Sequence, residues 1–124
     1  MGAKGHLALR GTLMLGLTLI CPTVSRADGA ADSLTAGRRV YEKWCAACHD
    51  PGIMHPGTHA LMVKYPGGHR ASGVITDWTD LPAQYVRYMV RHGMSVMPPF
   101  RKTEITDSEL AALATYLARN TPAK

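Results

Sequence analysis

The chain has 124 residues, 46% of them hydrophobic, with 14 Lys+Arg against 9 Asp+Glu and a formal net charge of +5. That length suits one small domain rather than two. No run of Lys or Arg accompanies the basic balance, which therefore argues for neither nucleic acid nor an anionic membrane as partner.

The first 27 residues read as a secretory signal. Lys4 and Arg10 form a positive start, Leu13 to Ile20 is an apolar stretch too short to span a membrane, and Ser25-Arg26-Ala27 places small residues on either side of Arg26 at a cleavage site. Cleavage is predicted after Ala27, leaving a single domain over 28–124 in the periplasm, with no membrane span. Cys21 invites a lipoprotein reading, but Ile20 stands where a lipid-modification site wants a small residue. Lys4, Arg10 and Arg26 leave with the signal and no acid does, so 11 bases face 9 acids, net +2.

A first helix is predicted from Ser33, as N-cap, to the next two cysteines. Gly37, Tyr41 and Cys45 fall at i, i+4 and i+8 and share one face. Gly inside a helix costs about 1 kcal/mol relative to Ala, so its presence at 37 predicts a close approach by another backbone. The helix runs into Cys45-Ala46-Ala47-Cys48-His49, a C-x-x-C-H stretch, the attachment signature of c-type haem. Each thiol can form a thioether to a vinyl group, and the adjacent imidazole of His49 can reach the iron. A thioredoxin-like pair would expect a βαβ setting, which is absent from this pattern, and a zinc site would want a second C-x-x-C. Cys45 and Cys48 are thus assigned to one covalently bound haem c, and no cysteine of 28–124 is left for a disulfide.

Asp50 to Asp80 is rich in Gly and Pro and reads as loop, with a short helix over His59 to Lys64. A small all-α domain with so long a loop is explained if the loop wraps a prosthetic group, which would also supply core that a short chain lacks. The form without haem is then expected to be poorly folded. Pro82 opens the next helix, with Tyr85, Val86, Met89 and Val90 as its apolar stripe and Gly93 ending it. Thr106-Asp107-Ser108-Glu109 is a capping-box pattern opening the last helix, whose apolar face is Leu110, Leu113, Tyr116 and Leu117 and which Pro122 stops.

Met97 is the first choice for the second axial ligand of the iron. It follows a helix stop, and Pro98 and Pro99 stiffen its loop at low entropic cost. A thioether raises the reduction potential relative to a second imidazole. Met94 is the nearest competitor, then His92. His55, His59 and His69 are expected to face solvent. A backbone carbonyl, first of all that of Pro56, is expected to hold the other nitrogen of His49. Tyr65, Arg70, Trp78 and Arg101 are possible propionate partners by residue type, with Trp78 packing on the haem edge.

These motifs resemble those of class I cytochromes c. Gly37 with Tyr41, Leu113 with Tyr116, the Cys45–His49 run and Met97-Pro98 match the family's helix pair and two ligand motifs. Tyr41 to His49 and Ser95 to Ile105, with Pro56-Gly57-Thr58 and Lys64-Tyr65, are also similar to the cytochrome subunits of flavocytochromes that oxidise p-cresol, eugenol and 4-alkylphenols. The resemblance implies the all-α class I fold. It also implies an electron-transfer subunit, not itself an enzyme, that receives electrons from an FAD-bearing flavoprotein. It would pass them to a periplasmic acceptor such as a blue-copper protein. Phe100, with Arg101 and Lys102, could anchor docking or simply cover the haem. The alternatives are a free-standing electron shuttle and, from another class, a haem enzyme or gas sensor with an open iron site.

Overall fold

In a computed structural model, residues 1–2 and 26–122 are described, and the predicted signal segment lies largely outside them. Five helices follow in order: α1 (Arg26–Trp44), α2 (Ala46–His49), α3 (Pro56–Lys64), α4 (Ala83–His92) and α5 (Asp107–Ala118). Two short 3-10 turns, Gly68–Arg70 and Ile75–Asp77, punctuate the segment between α3 and α4. Among the described residues there is no strand beyond one isolated antiparallel bridge between Met94 and Met97. None of the helices is long and apolar enough to cross a membrane. The all-α expectation holds.

Helix α1 packs along α5, and α5 also carries α4. The first contact explains Gly37. A Cβ there would lie 2.6 Å from Tyr116 Cβ and still closer to the Ala112 carbonyl oxygen. One turn on, the Tyr41 ring meets Tyr116 at 5.9 Å between centroids, tilted by 49°. Of the two residues predicted to cross here, Tyr116 meets Gly37 directly and Leu113 is fully buried in the core beside it, while the closest approach is by the Ala112 carbonyl, which the sequence did not single out. Leu110, Leu113 and Leu117 from α5 join Val40, Tyr41 and Cys45 from the end of α1 and Val86 and Val90 from α4 in one core. Each buried leucine contributes about 1.5–3 kcal/mol of transfer free energy.

The capping box is present. Thr106 Oγ1 accepts from the Glu109 N–H at 3.2 Å, and the Glu109 carboxylate accepts from the Thr106 N–H at 2.8 Å. The other end of α5 pins the loop region. Thr121 Oγ1 accepts from Leu81 N–H at 2.8 Å and donates to Leu81 O at 3.1 Å, while Arg119 and Asn120 both donate to Thr76 O.

Three boundaries differ from the sequence reading. Helix α1 starts at Arg26 rather than Ser33, because the Ala-rich stretch Ala27 to Ala31 favours continued helix over a cap. The predicted cut after Ala27 therefore falls in its first turn. Helix α3 starts at Pro56 rather than His59, with the proline at the first helical position. Pro82 stands as the cap of α4 instead of its first residue, a difference of one position. The 3-10 turns inside the predicted loop carry no periodic sequence signal.

Gly37→Ala discriminates between helix propensity and packing. Propensity alone predicts a gain of about 1 kcal/mol. The crossing predicts overpacking that outweighs it, a net loss of about 1–2 kcal/mol in chemical denaturation of the haem-loaded protein.

Candidate haem site

The site is built on one helical turn. Cys45 closes α1 with its N–H on Tyr41 O at 2.8 Å, and its own carbonyl accepts from Cys48 N–H at 3.0 Å and His49 N–H at 2.9 Å. The three side chains thus stand at i, i+3 and i+4, where a helix brings residues to one face. Asp50 ends the turn in extended conformation, and the fully buried Thr58 donates to its carbonyl at 2.9 Å, fastening α3 beneath α2.

Both thiols are free, Cys45 buried and Cys48 exposed. Burial first, and the neighbouring Cys48 second, push the Cys45 thiol up to about 12. A redox-active C-x-x-C needs the opposite, a depressed thiol. The setting also lacks the strand such a motif follows, and among the described residues no three His, Cys, Asp or Glu gather as a metal cluster. The thiol-oxidoreductase and zinc alternatives therefore have no support in the geometry.

His49 is half-buried, and burial lowers its pKa, favouring the neutral imidazole that can ligate a metal. Its Nδ1 is buried with no hydrogen-bond partner. The expected bond to the Pro56 carbonyl is not made, since Pro56 opens α3 and its carbonyl points along that helix. The ring is held by shape instead. A Cβ on Gly57 would lie 2.8 Å from His49 Cε1, 2.9 Å from Nδ1 and 2.7 Å from the Cys48 carbonyl oxygen. This contact takes the Nδ1 edge and leaves Nε2 as the ring nitrogen for iron.

Met97 comes from the other side of the chain. It pairs with Met94 through reciprocal N–H to carbonyl bonds of 3.0 and 2.9 Å, with Ser95 at φ 54° in the two-residue turn between them. Met97 is half-buried against the core, whereas Met94 and Val96 are exposed, Val96 at 84%. His92 turns back onto its own helix, its Nδ1 2.8 Å from Tyr88 O and its ring stacked on Tyr88. Phe100 does not project outward as a docking anchor. It is half-buried, with its ring edge-on to Trp44 at 5.8 Å.

Tyr65, Arg70 and Trp78, named as possible propionate partners by residue type, lie together. The Tyr65 and Trp78 rings meet edge-on at 5.6 Å, and the Arg70 guanidinium lies over both, 5.1 and 4.7 Å from their centroids. Arg70 Nε reaches both oxygens of Asp80, at 3.0 and 3.1 Å, and His69 Nε2 is 2.9 Å from the same carboxylate. Trp78 is 3% exposed, yet its indole Nε1 has no acceptor. Beside it opens a groove lined by Arg70, Trp78, Leu81, Tyr85 and Tyr88, which none of Cys45, Cys48, His49 and Met97 lines. Tyr85, placed on the buried stripe of α4 by periodicity, is 43% exposed along this groove. Arg101 does not join the cluster. Its side chain is 79% exposed and paired with Glu104.

The residues present fit a haem. A buried indole donor without an acceptor costs about 1–3 kcal/mol, and a propionate would supply the acceptor. Gly57 shapes a place for the axial imidazole, and the two thiols share its helical turn. Sequence reasoning named Gly57 only within the Pro56-Gly57-Thr58 resemblance, without a role beside His49, and missed Asp80, ten residues from Arg70 with no signal linking them. It also misplaced His55, which is half-buried with Nδ1 3.1 Å from Ala47 O.

A family model described as cytochrome c oxidase, cbb3-type, subunit III, matches residues 32–117. The chain is 27% identical over 96 residues to the 4-cresol dehydrogenase (hydroxylating) cytochrome c subunit of Pseudomonas putida, covering 77% of this chain and 70% of that one. No solved structure matches the chain significantly.

Two outcomes check this geometry. Gly57→Ala should rotate the His49 ring and shift the ferric low-spin EPR signals of the haem-loaded protein, while Gly67→Ala, in extended backbone with open space around it, should not. Arg70 first, and His69 second, hold the Asp80 carboxyl below its ordinary value. A depressed carboxylate stabilises the fold above its unfolded pKa and loses that contribution as pH falls through the folded one. Thermal melting of Asp80→Asn should therefore match wild type more closely below the carboxylate range than at neutral pH.

Proposed function

The chain belongs to the c-type cytochrome family that this model describes, and from that premise we propose that it is a single-haem electron-transfer subunit. The observation that carries the reading is the Cys45–Cys48–His49 turn. It presents two thiols and a neutral, sterically fixed imidazole on one helical face. Cys45 and Cys48 would hold the haem by thioethers, with His49 and Met97 as the axial ligands. A bound haem supplies a one-electron couple.

The chain's own residues set the character of that couple. Met97 offers a thioether, which favours the reduced state more than a second imidazole does. With both axial positions filled, no site remains for O₂ or peroxide, which argues for an electron carrier over a haem enzyme or sensor. Trp78 Nε1 would donate to a propionate. Arg70, already shared with Asp80, stiffens Trp78 by stacking more than it supplies free positive charge. Tyr65 is assigned to the same edge, whereas Arg101 is too exposed to support the haem contact first considered for it.

The similarity to a cytochrome subunit of a 4-cresol dehydrogenase supports a partner of the same kind, an FAD-bearing flavoprotein that oxidises a 4-alkylphenol. The onward acceptor would be a small periplasmic redox protein such as a blue-copper protein. Residues 1–27 would direct export and be removed. The exposed apolar tip of the Met97 hairpin, Met94 and Val96, suits docking better than Phe100 does.

Met97→Ala should abolish the far-red sulfur-to-iron charge-transfer band of the ferric protein and open it to cyanide. A band that survives the substitution removes Met97 from the site. For the partner, the native protein should co-elute with a flavin-containing chain on size exclusion. Elution as a monomer without flavin would favour the free-standing shuttle.

A further inference from the structure

The Met97 loop has few means of holding itself in place. Met97 N–H is spent on Met94 O inside the hairpin. Pro98 and Pro99 have no N–H to give. Phe100 is therefore the first residue after the proposed ligand whose amide can tie the segment to the rest of the fold, and it does so three times over. Its N–H donates to Val90 O at 2.7 Å, taking up one of the carbonyls that the end of α4 would otherwise leave unpaired. Its carbonyl accepts from Arg91 Nη1 at 3.1 Å. Its ring packs edge-on against Trp44, the residue before Cys45.

Arg91 is itself held from the far side. Its side chain is 19% exposed, and its Nη2 donates to Asp107 Oδ1 at 2.9 Å in the first turn of α5. The second oxygen of Asp107 accepts from Lys102 Nζ at 2.8 Å. One guanidinium thus joins α4, α5 and the carbonyl of Phe100.

We propose that Phe100 is the anchor of the axial-ligand loop and that Arg91, by gripping the Phe100 carbonyl, is a positioning residue that keeps the Met97 thioether seated on the iron. This rests on the reading of Met97 as an axial ligand. The hairpin from Gly93 to Pro99 is then a short arm hinged at α4 and clamped at Phe100. Displacement of the thioether by an outside ligand requires that the clamp open.

The test uses the ferric haem-loaded protein and imidazole as the incoming ligand. Arg91→Met, which keeps the stem and removes the donors, should tighten imidazole binding about tenfold, as loss of one charge-assisted hydrogen bond implies. It should also weaken the far-red charge-transfer band. Arg91→Lys should recover part of both. Asp107→Asn breaks the ion pairs on α5 but leaves the Phe100 contact, so it should lower the melting temperature while imidazole affinity stays within twofold. Equal imidazole affinities in wild type and Arg91→Met, or equal gains in Arg91→Met and Asp107→Asn, would overturn the proposal. Met97→Ala separates the two layers. If it keeps the band, the ligand assignment fails. If it loses the band while Arg91→Met and Phe100→Leu bind imidazole as wild type does, only the anchor fails. Should Arg91→Met not hold haem, hydrogen exchange on wild type decides. Imidazole binding should deprotect the Phe100 amide, and unchanged protection would refute the clamp.

Discussion

The close approach of α1 to α5 at Gly37 is the constraint from which the rest of the structure follows. One face of α1 carries Gly37, Tyr41 and Cys45 in succession. The first lets the Ala112 backbone come near, the second meets the Tyr116 ring at a tilt, and the third enters the core at the end of the helix. The helix crossing and the Cys45–His49 turn are therefore two ends of one packed stripe. A shift at Gly37 would be transmitted along α1 to Cys45, because well-packed interiors pass strain on instead of absorbing it.

From that stripe the chain builds two walls of different kinds. The His49 wall consists of short helices fastened by buried bonds, with Thr58 on Asp50 O and the Gly57 backbone against the imidazole. The loop beyond it is stiffened by Arg70, which lies over the rings of Tyr65 and Trp78 and is neutralised by Asp80. The other wall is α4 and its hairpin, where the polar contacts are fewer and sit at the Phe100 end. Several buried polar atoms remain unpaired around the site: Trp44 Nε1, His49 Nδ1 and Trp78 Nε1. Each such atom is a cost that an acceptor brought by a bound group or an ordered water would recover.

Much of this was legible in the sequence because the relevant signals are local. The C-x-x-C-H run, the capping box at Thr106 and the apolar periodicity of α5 each lie within one or two helical turns. Gly37 was legible for a different reason: a glycine in a helix interior is a cost that calls for a compensating contact. The unread features join distant or aperiodic positions. Nothing in the sequence pairs Arg70 with Asp80, or Arg91 with the carbonyl of Phe100. The orientation of His49 was anticipated in kind, as a second contact on Nδ1, but assigned to a carbonyl. Pro56 was read as a loop residue, and a proline that begins a helix directs its carbonyl away.

The asymmetry of the two walls bears on how such a centre would behave as a carrier. His49 is fixed by its neighbours in sequence, since the thiols that would hold the haem stand one and four positions before it on the same turn. Its place depends on contacts that are short-range and buried. Met97 is fixed by a loop whose nearest amide anchor is three residues away and whose clamp rests on the Phe100 amide and one hydrogen bond from Arg91 to the Phe100 carbonyl. Fewer short-range contacts hold the second arrangement than the first. Under a competing ligand the thioether would therefore yield before the imidazole. The ability of the site to refuse ligands is then a property of the hairpin and its clamp, while its ability to keep its cofactor is a property of α1 and α2.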